Sequence, residues 1–231
     1  MALIAGDYNQ VEVRAAAWIS NDPVLTRLYE DGGDLHTENA AMIANIPVTD
    51  VQKEHRDKAK AVTFGALYGI SAKGLVSYAF DSFDVVMTIT QAGLALNAFY
   101  SRFPTLHSWL QDNSRRCFAH GLVRIGAGRL VKNAWEKYPM RYQHHCNLPI
   151  QGVCADLMLR SLRLTHDRLA GIRGGIVTTV HDEILLEAKQ VNRASKILQQ
   201  AMLDAFVETF PGAPTRDVTK IKTGTTWDMK G

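Results

Sequence analysis

No apolar stretch in the 231-residue sequence approaches the roughly 20 residues that a membrane-spanning helix needs. The opening Met1-Ala2-Leu3-Ile4-Ala5-Gly6 lacks the charged start and long apolar core of a signal peptide, so an intracellular protein without a membrane partner is expected. Cysteine is scarce. Cys117, Cys146 and Cys154 form no CxxC pair, which argues against a disulfide framework and a zinc site, and leaves buried, idle thiols as the expectation. In His144-His145-Cys146 adjacent side chains point apart rather than at one ion. A strong excess of one charge is missing too: 26 Lys and Arg stand against 23 Asp and Glu, a net +3 that permits a polyanionic partner without requiring one. The cations do cluster, at Lys53, Arg56, Lys58 and Lys60 and again at Arg115, Arg116, Arg124 and Arg129.

What is present has a clear layout. Leu3-Ile4-Ala5, ending at Gly6-Asp7, reads as a buried strand that delivers Asp7 to its exit. Helices are expected over 11–19, over 24–29 behind a break and cap at Asn21-Asp22-Pro23, and over 36–44 after the turn Asp31-Gly32-Gly33-Asp34. A long helix is expected over 50–68 with Asp50 as its cap, and further helix over 90–120 interrupted at Pro104. Residues 121–131 suit a hairpin around Gly126-Ala127-Gly128, and 151–169 a helix. Ile176–Val180 and Ile184–Leu186 are β-rich runs separated by His181-Asp182-Glu183, a hairpin with acids at its tip. Residues 191–210 are amphipathic, with Ile197, Leu198, Ala201, Met202, Ala205 and Phe206 on one face. Strands at both ends with helices between them predict an α+β fold: an antiparallel sheet built from both ends of the chain, carrying an inserted helical subdomain.

Carboxylates at the exits of apolar strands are costly unless paired or bound to a cation. If those strands are neighbours, Asp7 and Asp182 converge on a divalent-metal site, and all-oxygen ligands favour magnesium or manganese. Two such ions about 4 Å apart activate a hydroxyl and neutralise a departing phosphate. The plain alternative is that each acid sits in a solvated turn. Arg56, Lys60, Phe64 and Tyr68 stand four apart, so they share one side of the 50–68 helix. Two cations can hold a triphosphate, and the rings beyond them can meet a sugar and a base. Gly65 and Gly69 beside the rings point to a close approach to the backbone. An ordinary helix with its rings in the core and its cations in water remains open at this point.

These strings resemble the family A DNA polymerases, the bacterial DNA polymerase I type, over nearly the whole chain. Asp7-Tyr8-Asn9-Gln10-Val11-Glu12-Val13-Arg14 is similar to the first palm motif, with Asn9 where serine is usual. Arg56 to Gly69 resembles the fingers-helix motif, and Val180-His181-Asp182-Glu183 the third motif, in the same order and at fitting separations. Departures are Thr63 where asparagine is common, Asp57 where a second cation often stands, and Gln143 where arginine is usual, with Arg141 nearby.

The resemblance implies a template-directed deoxynucleotidyl transfer to a primer 3′-hydroxyl, with two Mg2+ ions that Mn2+ can replace. Asp7, Asp182 and the Tyr8 carbonyl would hold metal, and Glu183 would be an auxiliary acid near the primer end. Arg56, Lys60 and His36 would grip the triphosphate, Lys60 also protonating the departing pyrophosphate. Phe64 would pack on the sugar of the incoming nucleotide, and Phe in place of Tyr implies poor acceptance of dideoxynucleotides. Gln10 would join the nucleotide site, Tyr68 would close it, and Glu12 would bar a ribose 2′-hydroxyl. Arg14, Asn147, Gln151 and His181 would read the minor groove of the primer–template end, where all four pairs present similar acceptors. The implied division is palm over 1–45 and 141–231 and fingers over 46–140. A thumb and an exonuclease domain are expected to be absent. A fragment or trimmed form would then need the missing region or an accessory protein, and would expose a sheet edge. A bacterial or phage-like cytoplasmic enzyme fits this reading. The alternatives are a single-subunit RNA polymerase and a catalytically silent nucleic-acid-binding module derived from a polymerase.

Overall fold

The computed structural model describes residues 1–126, 128–132 and 140–227, so Ala127 in the expected hairpin lies outside the described residues. In chain order the elements are β1 (Ala2–Tyr8), α1 (Val11–Ser20), α2 (Pro23–Glu30), α3 (Leu35–Ala44), a 3-10 turn (Val48–Asp50), α4 (Lys53–Leu67), α5 (Ala72–Phe83), α6 (Ile89–Arg102) and α7 (Pro104–His120). There follow β2 (Leu122–Ile125), β3 (Arg129–Lys132), α8 (Tyr142–Arg168), β4 (Gly174–Val180), β5 (Glu183–Ala188), α9 (Val191–Thr209) and β6 (Thr219–Gly224). They form two compact units, one made of Met1–Ala15 with the chain from Gln151 onward, the other of Ala16–Ile150. Helices α1 and α8 carry the chain across the two boundaries.

The first unit holds a four-stranded antiparallel sheet in the order β4-β5-β1-β6, so both chain ends supply it, as the strand pattern predicts. β1 is interior, paired on both sides, and its residues Ile4, Ala5 and Tyr8 are buried. On one face it meets α9 so closely that a Cβ on Gly6 would lie 2.7 Å from Leu198 and 2.8 Å from Met202. A larger residue there would force the Leu198 and Met202 side chains to shift. The expected apolar stripe of α9 is buried at Leu198, Ala201, Met202, Ala205 and Phe206, while Ile197 is half-buried. The Tyr8 hydroxyl donates to the Met202 carbonyl at 2.7 Å and lies 2.7 Å from Ser161 Oγ, tying β1 to α9 and α8. β4 and β6 are the sheet edges. β6 exposes Lys220 and Lys222 to an extent that blunts pairing with a stranger, whereas β4 exposes Val177 and Val180.

Among the described residues the second unit is helical apart from the β2–β3 hairpin. Asp22 caps α2 as expected. Its Oδ1 accepts from the Val24 and Leu25 amides, and its Oδ2 accepts from Leu106 at the start of α7, each at 3.0 Å. Helix α4 starts at Lys53 rather than at a cap on Asp50, which sits in the 3-10 turn; His55 Nδ1 accepts the Gln52 amide at 3.1 Å instead. Asn39 is buried between α3, α4 and α6, donating to Thr63 Oγ1 at 3.2 Å and accepting from Arg102 at 2.8 Å. Gly69 ends α4 at φ 64, with a built Cβ only 2.5 Å from the Tyr142 ring. A Cβ on Gly65 would meet Leu75 at 2.8 Å. The groups that press on these two glycines are thus the protein's own Leu75 and Tyr142, not a space kept for a base.

Helix α8 contains Pro149, which has no N–H for the carbonyl one turn back. That carbonyl belongs to His145, and the Asn113 side chain of α7 donates to it at 2.8 Å. The helix therefore passes through a proline without an orphaned acceptor. All three cysteines are free and buried, and burial holds their thiols above the usual range.

Candidate active site

The acids meet on the sheet. Antiparallel register sets Asp7 opposite Glu183 on β5 and Lys220 on β6, and the Tyr8 amide donates to the Asp182 carbonyl at 3.3 Å. Glu183 is the first residue of β5 rather than part of the turn, which consists of His181 and Asp182. The Asp7 and Asp182 carboxyl groups lie near enough to shift each other's proton affinity. Burial first, then the charges of Asp182 and Glu183, push Asp7 up to about 6, with Lys220 pulling the other way. Burial, aided by Glu12, raises Asp182 as well, against its backbone hydrogen bond and His181. Two non-glycine residues beside these acids, Gln10 (φ 55) and His181 (φ 55), adopt left-handed backbone conformations. Such conformations cost energy and are maintained where surrounding structure dictates them.

This donor set fits a hard divalent cation. Two half-buried carboxylates that cannot both ionise comfortably gain from a positive charge, and the ligands are oxygens throughout. Among the described residues no three His, Cys, Asp or Glu side chains converge as a closed cage. An ion held by one or two carboxylates, with the rest of its shell from water, carbonyls and substrate phosphate, is the magnesium pattern.

Further members of the same unit surround the pair. Gln151 Nε2 donates to Glu12 Oε1 at 2.6 Å. Arg14 is 5% exposed and donates to the carbonyls of Asn9, Pro214 and Arg216 at 2.9, 3.2 and 2.9 Å. His181 is exposed. Trp227, beyond β6, donates from its indole nitrogen to Glu183 Oε1 at 2.8 Å. Sequence reasoning missed Trp227, because nothing local links a residue near one chain end to an acid 44 positions earlier.

In the helical unit the four-residue stripe is realised. Over 59–69 the partly exposed residues are Lys60, Phe64 and Tyr68, with Arg56 one turn before, and the rest are buried. The ring of Phe64 lies 6.1 Å from that of Tyr68 and 5.8 Å from that of His36. Arg56 donates to Thr37 Oγ1 at 2.9 Å and pairs with Asp34 at 2.6 Å, while Lys60 pairs with Asp57 at 3.5 Å. Partly exposed pairs of this kind are worth about 0–1 kcal/mol, so either cation can be exchanged for a phosphate at little cost. The carboxamide oxygen of Asn147, in the same unit, is buried with no hydrogen-bond partner among the described residues.

His36 is 5% exposed and its Nδ1 has no hydrogen-bond partner among the described residues. Burial, reinforced by Lys60 and Arg56 and only partly offset by Asp34, lowers it to about 4. At neutral pH it is an uncharged imidazole. Its folded value lies below the ordinary 6.5, so between the two values the unfolded chain holds the proton more tightly. Stability from this group is therefore present above about 6.5 and is lost as pH falls towards 4. Comparison of urea unfolding at pH 7 and pH 4.5 should show the native chain losing about 2 kcal/mol more than His36→Gln. Equal losses would mean that His36 is not held neutral by burial.

A model of the family described as DNA polymerase family A matches residues 1–229. The chain is 30% identical over 238 residues to the thermostable DNA polymerase I of Thermus thermophilus, spanning 98% of this chain and 27% of that protein. It is 28% identical to DNA polymerase I of Rhizobium leguminosarum, over 98% of this chain and 23% of the relative. It therefore spans about a quarter of the length of these curated relatives. Its fold is similar to that of the polymerase domain of Pol1 from M. smegmatis, solved with DNA primer-template and dNTP. The TM-score is 0.83 at 24% identity, over 99% of this chain and 40% of that one. With a family match that takes in all but the last two residues, the chain belongs to the family A DNA polymerases.

Proposed function

We propose that the chain is the palm-and-fingers portion of a template-directed DNA polymerase, with palm over 1–45 and 141–231 and fingers over 46–140. The observation that carries this reading is the meeting of Asp7 and Asp182 at the adjoining ends of β1 and β5, where the Tyr8 amide bonds the Asp182 carbonyl and the two carboxyl groups shift each other's proton affinity. Asp7, Asp182 and the backbone carbonyl of Tyr8 would hold two Mg2+ ions, with Mn2+ able to substitute. Bound there, the ions lower the pKa of an attacking hydroxyl and neutralise the departing phosphates.

In the proposed reaction the primer 3′-oxygen attacks the α-phosphorus of a deoxynucleoside triphosphate, the bond to the β-phosphate oxygen breaks, and pyrophosphate leaves. The protein supplies positioning and charge rather than a nucleophile. Arg56 and Lys60 leave their weak partners Asp34 and Asp57 for the triphosphate, and Lys60 gives a proton to the leaving group. His36, being neutral, contributes as a hydrogen-bonding group rather than as a cation. Phe64 and Tyr68 offer ring faces to the sugar and base, and Gln10 borders the nucleotide. Asn147, Gln151 and His181 face the minor groove of the primer end. Arg14 braces the 214–216 segment through two carbonyl bonds, to Pro214 and Arg216, and ties it to Asn9 through a third.

Glu12 is the proposed barrier to a 2′-hydroxyl, held in place by Gln151. In single-nucleotide incorporation with Mg2+ or Mn2+, Glu12→Ala should raise ribonucleotide use relative to deoxynucleotide by roughly 10–100-fold, the scale on which small steric differences discriminate. An unchanged ratio removes the barrier role. Primer–template binding without incorporation of any of the four deoxynucleotides would instead support the silent nucleic-acid-binding module.

A further inference from the structure

Three acids, Asp7, Asp182 and Glu183, adjoin one another on the sheet, yet no three acidic side chains among the described residues form a metal cage. Glu183 has a partner outside the acid cluster. Its Oε1 is taken by the indole N–H of Trp227 at 2.8 Å. Cross-strand partners point to the same face, so Asp7 and Glu183 share a face of the sheet. Trp227 follows β6, whose Gly224 lies opposite Leu3 at the far end of β1 from Asp7. The chain beyond Gly224 must therefore turn back along the sheet for Trp227 to reach Glu183. Its ring stays 49% exposed, so it is not there to complete the core. A tryptophan presents an apolar body with a single donor, and here the donor goes to the third acid of the cluster.

We infer that Trp227 is a positioning residue that restrains Glu183 and keeps its carboxylate out of the metal-binding set of Asp7 and Asp182. The inference rests on the metal role proposed for those two aspartates. With the donor in place, the site presents two carboxylates to the ions and leaves the third beside them. Without it, Glu183 is free to turn towards the pair and become a third ligand, since carboxylate count and charge set the affinity of such sites. The residue thus tunes how tightly ions are held.

The test is Mn2+ binding to the chain, read from the electron paramagnetic resonance signal of the free ion, with no turnover involved. Trp227→Phe keeps an aromatic ring and loses the N–H, and it should bind Mn2+ about 3- to 10-fold more tightly than the unsubstituted chain. In a Glu183→Ala background the same substitution should change affinity by less than about 2-fold, because the residue through which it acts is gone. Circular dichroism of the metal-free variants checks that each is folded, and the Glu183→Ala pair provides the comparison should Trp227→Phe alone be poorly behaved. Unchanged or weaker binding by Trp227→Phe overturns the inference while leaving the metal site intact, provided that Asp7→Ala still abolishes binding. An equal effect of Trp227→Phe in both backgrounds also overturns it, by showing a route that bypasses Glu183. Absence of Mn2+ binding by the unsubstituted chain overturns both the inference and the metal reading beneath it.

Discussion

In an otherwise complete enzyme, and on the proposed reading, Asp7→Ala or Asp182→Ala is expected to lower deoxynucleotide transfer by at least about 10³-fold while changing primer–template affinity by less than about 3-fold. Charge stabilisation at a phosphoryl centre is worth several kcal/mol, and each 1.4 kcal/mol is tenfold in rate. The loss should not be a loss of fold. The Asp7 carboxyl sits at about 6, above its ordinary 3.8, so the folded state holds this proton more tightly than the unfolded chain. Stability from Asp7 is thus greatest below about pH 4 and falls as pH rises through 6 in the absence of metal. Removing the carboxyl removes that loss. Metal-free Asp7→Ala should therefore unfold at no lower urea concentration than the native chain at pH 8. Extension at the native rate by either variant would refute the assignment of these two acids. Retained rate with collapsed stability would show that the pair is structural.

Asp22→Ala should cost the fold about 3–4 kcal/mol, far more than an ordinary surface acid. The side chain is fully buried and accepts three backbone amides: two in the first turn of α2 and one, from Leu106, in the first turn of α7. Losing a helix cap costs about 1–2 kcal/mol, and stranding a further buried amide about 1–3 kcal/mol. The amides at two helix starts are also the positive ends of two helix dipoles, which an aspartate complements and an alanine does not. Asp22→Asn, which keeps one acceptor oxygen, should recover part of the loss. Urea unfolding of the three proteins decides the matter. A loss below about 1 kcal/mol in Asp22→Ala would mean that water replaces the carboxylate at both helix ends.

The sheet and its acids were readable because their signals are local. An apolar run ending in Asp7, and two β-rich runs around His181-Asp182, mark strands whichever partners they find. The four-residue stripe of α4 was equally local, and so was the Asp22 cap. Four features were not readable. β6 reads Thr-Lys-Ile-Lys-Thr-Gly, a polar run that becomes a strand because an edge position lets lysines face water. Helix α5 is capped by Ser71, whose hydroxyl accepts from Gly74 at 3.2 Å, but the glycine within its first turn hides that start. The first turns of α8, from Tyr142 to Ile150, lie before the 151–169 stretch that reads as helix and contain Pro149, which a sequence alone does not place inside a helix. The contact of Trp227 with Glu183 depends on how the chain turns after β6 and leaves no trace in spacing. Close approaches at Gly65 and Gly69 were anticipated correctly in kind, but the approaching groups came from elsewhere in the same chain.

The gap left by Pro149 bears on how the molecule acquires its shape. An isolated peptide spanning α8 would carry the His145 carbonyl with nothing inside the helix to satisfy it, and only the Asn113 amide from α7 closes that vacancy. The stretch before the proline thus gains its full complement of bonds only once α7 has docked, whereas the stretch after it can wind by itself. Full hydrogen bonding along this one rod is therefore a property of two helices together rather than of its own sequence.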